Sequence, residues 1–104
     1  MHPLTVPVVL TEEEQRYLRW LRKALRKHRV ADSEILIHGE PLPSGWGADE
    51  FHLYKSGNQW VVAYMERGQY HNAKSYFDRV SDACHFAFWR LTRRDSPLNY
   101  KLDE

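Results

Sequence analysis

The sequence predicts an α+β domain, a small antiparallel sheet packed with an N-terminal and a C-terminal amphipathic helix. Three observations point there. Apolar residues recur at helical spacing from Tyr17 to His28 and again from Val80 to Leu91. Between them, Glu50–Lys55 and Gln59–Glu66 are rich in β-branched and aromatic residues and flank Ser56-Gly57-Asn58, a hairpin signature. The 104 residues, 42% hydrophobic, suit one core and leave little room for a second, so residues 1–104 read as a single domain.

Taken in order, residues 1–10 carry Pro3 and Pro7 and read as an extended lead-in whose Val8, Val9 and Leu10 can tuck against the core. Thr11 followed by Glu14 is a capping box that starts a helix at Glu12 and runs it to about Arg29. On one side of that helix fall Tyr17, Leu18, Leu21, Ala24, Leu25 and His28, the last expected as a partly buried imidazole. Opposite fall Arg16, Arg19, Arg22, Lys23, Arg26, Lys27 and Arg29, a solvated basic face. Glu34–His38 reads as a short strand, and Gly39–Gly47 as a loop, its prolines and glycines barring regular structure. Trp46, bracketed by glycines at the loop tip, has two readings: folded back as a plug at the core edge, or an exposed anchor for a partner.

Reading Ser56-Gly57-Asn58 as a three-residue hairpin loop places Phe51, Leu53, Val61, Ala63 and Met65 on a core face. His52, Tyr54, Trp60, Val62 and Tyr64 then share the other face. A two-residue Gly57-Asn58 loop would instead pair Phe51 and Leu53 with Trp60, Val62 and Tyr64; the three-residue register is the expectation. The glycine-broken stretch Arg67–Asn72 ends the second strand, and Ala73–Phe77 reads as a weakly patterned third. Asp78 is expected to cap the second helix, whose stripe is Val80, Ala83, Cys84, Ala87, Phe88 and Leu91. Pro97 bars further helix, and Leu98–Glu104 reads as a loose tail pinned by Tyr100.

The formal charge is +1, which excludes a strongly polyionic chain, although residues 1–29 hold seven Lys/Arg against three Glu. One cysteine permits no internal disulfide. No run approaches a membrane span and the start lacks a secretion-signal pattern, so the expectation is a soluble, cytoplasmic protein. Nucleophile-elbow, phosphate-loop and zinc-helix motifs are missing, and the six His show no ligand spacing, so neither metal nor cofactor is expected. His52 or His71 with Glu66 could form an acid–base pair, but any chain with this many His offers such pairs. A second reading joins the basic helix to an aromatic sheet face of Tyr54, Trp60 and Tyr64 as a nucleic-acid-binding or general interaction module.

The run Gln59–Gly68, with the pattern W-x-V-x-Y-x-E-R-G, is followed by Phe77-Asp78 and by Ser81-Asp82-Ala83-Cys84 opening a helix. Residues 49–91 in this arrangement resemble the small bacterial immunity proteins encoded beside polymorphic and contact-dependent-inhibition toxins. The resemblance implies a non-enzymatic cytoplasmic protein that binds a cognate toxin domain and occludes its active site or substrate access. Under it, Trp46, Asp49, Glu66, Arg67, Tyr70 and His71 are the partner-facing candidates, expected in loops around one end of the hairpin. Glu66-Arg67-Gly68 has a structural reading too, in which Glu66 and Arg67 pair to fix the hairpin exit and Gly68 supplies a positive φ.

Overall fold

A computed structural model describes residues 2–94, with residues 71–73 described in their backbone only. Pro97 and the tail 98–104 with Tyr100 lie outside the described residues. The fold is α+β. Helix α1 (Glu12–Lys27) opens on the expected reciprocal box: the Glu14 amide donates to the Thr11 hydroxyl at 3.0 Å and the Thr11 amide to the Glu14 carboxylate at 2.9 Å. The helix ends in a Schellman motif. Arg29 takes φ 62°, its amide bonds the Arg26 carbonyl, and the Val30 amide reaches back to the Leu25 carbonyl. Because α1 stops at Lys27, His28 becomes its C-cap and leaves the apolar stripe; it is exposed, edge-on to Phe88 at 5.2 Å, rather than partly buried.

Arg22 departs from the solvated face assigned to it and is buried. It sits where the chain after α1 folds back over the helix, and its planar fork meets acceptors on every side: the Glu40 carboxylate at 2.6 and 3.3 Å, the Asp32 carbonyl at 3.2 Å and the Ile35 carbonyl at 2.9 Å. A guanidinium whose donors are satisfied in this way tolerates burial that an unpaired cation would not.

Among the described residues the sheet runs β1 (Ile35–Ile37), β2 (Glu50–Ser56), β3 (Gln59–Glu66) and β4 (Gln69–Phe77), in that spatial order. β2, β3 and β4 are antiparallel as expected, while β1 joins β2 in parallel, making the sheet mixed. A parallel neighbour needs a connection of about a dozen residues to return the chain to the same end. Residues 38–49 are that connection, which accounts for the length of the Pro/Gly loop.

The hairpin register corrects the sequence expectation. Ser56 pairs with Gln59, so the loop is the two-residue Gly57-Asn58 turn, with Gly57 at φ 61° in the type II′ pattern that suits the strand twist. Leu53 therefore faces Val62 and Phe51 faces Tyr64. The second turn was missed. Arg67 (φ 53°) and Gly68 (φ 81°) form a tight type I′ connection between Glu66 and Gln69, so β4 begins at once and runs nine residues, with a bulge opposite Ala63–Met65. Helix α2 (Val80–Thr92) then lays the expected stripe on the core, though Arg79 rather than Asp78 is its N-cap; Asp78 accepts instead from Gln59 Nε2 at 3.2 Å across the strand ends.

Two apolar clusters lie on the two faces of the sheet. On one, Leu18, Leu21 and Leu25 of α1 and Val80, Ala83, Cys84, Ala87 and Phe88 of α2 bury Ile35, Ile37, Leu53, Trp60 and Val62. On the other, Leu36, Tyr54, Val61 and Ala63 are covered by Leu4 of the lead-in and by Leu42 and Trp46 of the connection. The lead-in forms a short turn at Pro3–Thr5, and Leu10 lands on Gly39, where a Cβ would stand 3.0 Å from its Cδ1. Its φ of 101° favours glycine, and a Cβ there would also push the flexible end of Leu10 aside by a few tenths of an ångström.

Candidate functional site

The six candidate contact residues do converge on one end of the hairpin, but not all in loops. Asp49 closes the long connection, and its carboxylate accepts the Arg67 amide at 3.0 Å, tying that loop to the β3–β4 turn. Glu66 is the last residue of β3 and, like Arg67 and Asp49, is exposed. Tyr70 and His71 belong to β4 rather than to a loop, because the two-residue turn restarts pairing at Gln69; the side chain of His71 lies outside the described residues. Trp46 and Tyr70 are half-buried against the second cluster, so of the two readings of Trp46 the packed one holds for its ring.

Beneath this rim runs a chain of polar side chains that sequence reasoning missed. Glu50 and His52, two residues apart on β2, point to the same face, and His52 Nε2 lies 2.6 Å from the Glu50 carboxylate. That carboxylate oxygen also takes the Gly47 amide at 3.0 Å. His52 Nδ1 is 3.0 Å from the Tyr70 hydroxyl, which is 3.1 Å from His2 Nε2; His2 Nδ1 in turn accepts the Leu4 amide at 3.1 Å. Trp46 closes the assembly with its ring edge-on to His2 at 4.7 Å, and Lys74 places its ammonium over Tyr70 at 4.6 Å. The acid partner of His52 is therefore Glu50, not Glu66. The signal available was the alternation itself, an acid and an imidazole at i and i+2 on a strand.

Burial controls the charge states here. It lowers the pKa of His52, and the hydrogen bond and charge of Glu50 recover only part of that shift. His2 is lowered by burial and by His52, against the pull of Glu50. The Tyr70 hydroxyl is pushed up by burial first and by Tyr54 and Glu50 after it. An imidazole with no solvent exposure, held between a carboxylate and a phenol, offers no approach to a substrate; its chemistry is internal. The open groove of about 470 Å3 lined by Arg22, Arg26, Asp32, Glu40 and Leu42 does not reach it.

The aromatic platform expected of a nucleic-acid reader does not form. Tyr54 lies on the sheet face opposite Trp60 and both are buried, the Trp60 indole donating to Glu14 at 3.2 Å. On the basic helix Arg22 is internal and Arg26 is paired with Asp32 through bonds of 3.0 and 2.8 Å. Cys84 is fully buried, which pushes its thiol pKa well above the ordinary value and leaves it inert. No described helix is long and apolar enough to cross a membrane.

No family model, curated protein or solved structure matches the chain.

Proposed function

We propose that the chain is an immunity protein that binds a cognate toxin domain in the cytoplasm and occludes its active site or substrate access, using the rim formed by Asp49, Glu66 and Arg67. The observation that carries this reading is the backbone of Arg67. A non-glycine residue at positive φ costs about 1–2 kcal/mol, and Asn or Gly is the residue a type I′ turn selects. Arg29 and Arg93 share the left-handed region, but each stands at a helix C-terminus, where a cation favours the dipole. Arg67 has no helix end beside it. Its side chain is held out by a turn whose amide is anchored on Asp49, a rigid presentation of charge suited to a protein partner.

The resemblance supplies the class of partner. The internal placement of the imidazole–carboxylate pair agrees with a molecule that acts by its exterior.

Protection of cells tests the proposal. Co-produced with the toxic domain encoded beside it, the wild-type chain should keep cells alive, and Arg67→Ala at equal soluble level should protect at least tenfold less, as about 1.4 kcal/mol of lost binding implies. Failure of the wild-type chain to protect against that domain would overturn the reading.

A further inference from the structure

The lead-in is fastened to the sheet in an unusual way: by imidazoles whose proton positions the geometry dictates. His2 Nδ1 accepts the Leu4 amide, so in the neutral ring the proton sits on Nε2 and donates to the Tyr70 hydroxyl. Tyr70 then donates its own proton to His52 Nδ1, and His52 Nε2–H donates to the Glu50 carboxylate. Nearer the other end of the lead-in, His38 is buried; its Nδ1 accepts the Lys55 amide at 3.2 Å and its Nε2–H donates to the Val6 carbonyl at 2.7 Å. In every case Nδ1 is an acceptor and Nε2 a donor.

We infer that residues 2–10 are a pH-sensitive strap, held on the sheet by His2, His38 and His52 as Nε2–H donors and released when His2 and His52 are protonated. A proton added at Nδ1 of His2 faces the Leu4 N–H. At His52 it faces the Tyr70 O–H, which can turn away only by giving up its acceptor. Protonation thus opposes two donors at His2 and, at His52, leaves the Tyr70 hydroxyl proton without its acceptor, in a half-buried and a buried site. Apart from these bonds the strap is anchored by the buried Leu4 and, at its far end, by Leu10 packed on the helix-side cluster; between them Val6 and Val9 are exposed.

The surrounding charges do not rescue the protonated rings. Glu50 faces His2 and His52 and favours their cations, but burial outweighs it and both pKa values lie below the ordinary imidazole value. From β4, Tyr70 is a neutral phenol and Lys74 a cation over its ring; from β2, Tyr54 is neutral. Around His38, Arg19 of α1 and Glu40 line the adjoining groove with opposite charge. The Lys55 ammonium is engaged with Glu14 at 3.0 Å. A group whose folded pKa is depressed contributes stability above its unfolded value, about 6.5 for His, and loses it as pH falls towards the folded value. Release is therefore an event of mildly acid pH.

Nitrogen-15 NMR of the intact protein tests this. At about pH 7.5 the ring resonances of His2, His38 and His52 should all report the Nε2–H tautomer; an Nδ1–H tautomer at any of them overturns the assignment. On titration to about pH 5 the Leu4 and Val6 amides should move towards unstructured positions while those of Leu21, Leu25 and Ala87 stay. Leu4 and Val6 amides that do not move, or that move only together with the helices, overturn the strap. His2→Gln, which keeps an N–H for Tyr70 but does not titrate, should shift the Leu4 transition to lower pH; a folded variant with an unchanged midpoint overturns the role of His2. If the variant does not fold, the wild-type tautomers and titration still decide. None of these readouts depends on toxin binding.

Discussion

The two faces of the sheet are covered by different kinds of material. Helices α1 and α2 bury one with Leu21, Leu25, Ala83, Cys84 and Phe88, side chains that are fully or almost fully enclosed and need no polar fastening. The other is covered by irregular chain, the lead-in and the 38–49 connection, which brings few apolar side chains and is held by His2, His38, His52, Tyr70 and Glu50. Hydrophobic area is the main hold on the helices, with Glu14 and Arg22 as polar ties on α1, whereas the irregular cover has backbone groups of its own to satisfy and relies mostly on directional bonds. The helix face should be sensitive to volume and the strap face to protonation.

Truncation gives the largest expected difference. Phe88→Ala should cost about 3–5 kcal/mol in urea unfolding, since a 1% exposed ring leaves a cavity between two helices and the sheet that cannot easily close. Leu4→Ala should cost nearer about 2 kcal/mol, at the low end for Leu, because the strap can settle into the space. Equal losses at the two positions would break the contrast and make the strap an ordinary part of the core.

The same contrast explains what the sequence revealed. The helix stripes, the Thr11–Glu14 box and the hairpin strands were legible because each rests on local spacing. The register was not. Three-residue and two-residue loops differ by one residue around Gly57, and that single step moves Trp60 and Val62 from one face to the other. A usable signal for the parallel strand was present in Ile35-Leu36-Ile37, an unbroken apolar triplet, which is what a strand buried on both faces requires. The start of β4 at Gln69 is hidden in the sequence because Arg67-Gly68 has no Asn, the residue that advertises a type I′ turn. The Glu50–His52–Tyr70–His2 chain draws on residues up to 68 positions apart, and no local pattern encodes such a meeting.

Thr11 is the joint between the two covers, where the strap ends and α1 begins. Thr11→Ala should cost about 1 kcal/mol, the usual worth of an N-cap. A loss of twice that would show the covers to be coupled through Glu14, whose carboxylate also holds Lys55 and the Trp60 indole. The pH windows separate the faces further. Burial opposes ionisation of Glu14, but the Thr11 amide, Lys55 and Trp60 outweigh it and its pKa is lowered. The Glu14 contribution is thus present above the ordinary carboxylate range and lost only as pH falls through the lower folded value. On acidification the imidazole-held face should loosen first and the Glu14-held end of the helix face later. Stability curves of wild type and Glu14→Gln, compared from neutral to acid pH, should diverge at neutral pH and converge only in acid.

The smallest effect on stability is expected at the rim, the surface proposed to meet a partner. Arg67→Asn places at φ 53° a residue that accepts the left-handed region more readily, and the Asp49–amide bond, being to the backbone, survives the change. Unfolding should show no loss, or a gain of up to about 1 kcal/mol. If the side chain is there for a partner, protection against the toxin domain should fall in the same variant. A turn that becomes more stable while protection weakens would mean that the arginine is retained against the preference of its own backbone. Unchanged protection by Arg67→Asn would instead assign the residue to the turn alone, and with it the rim would lose the feature that distinguishes it from any other exposed hairpin end.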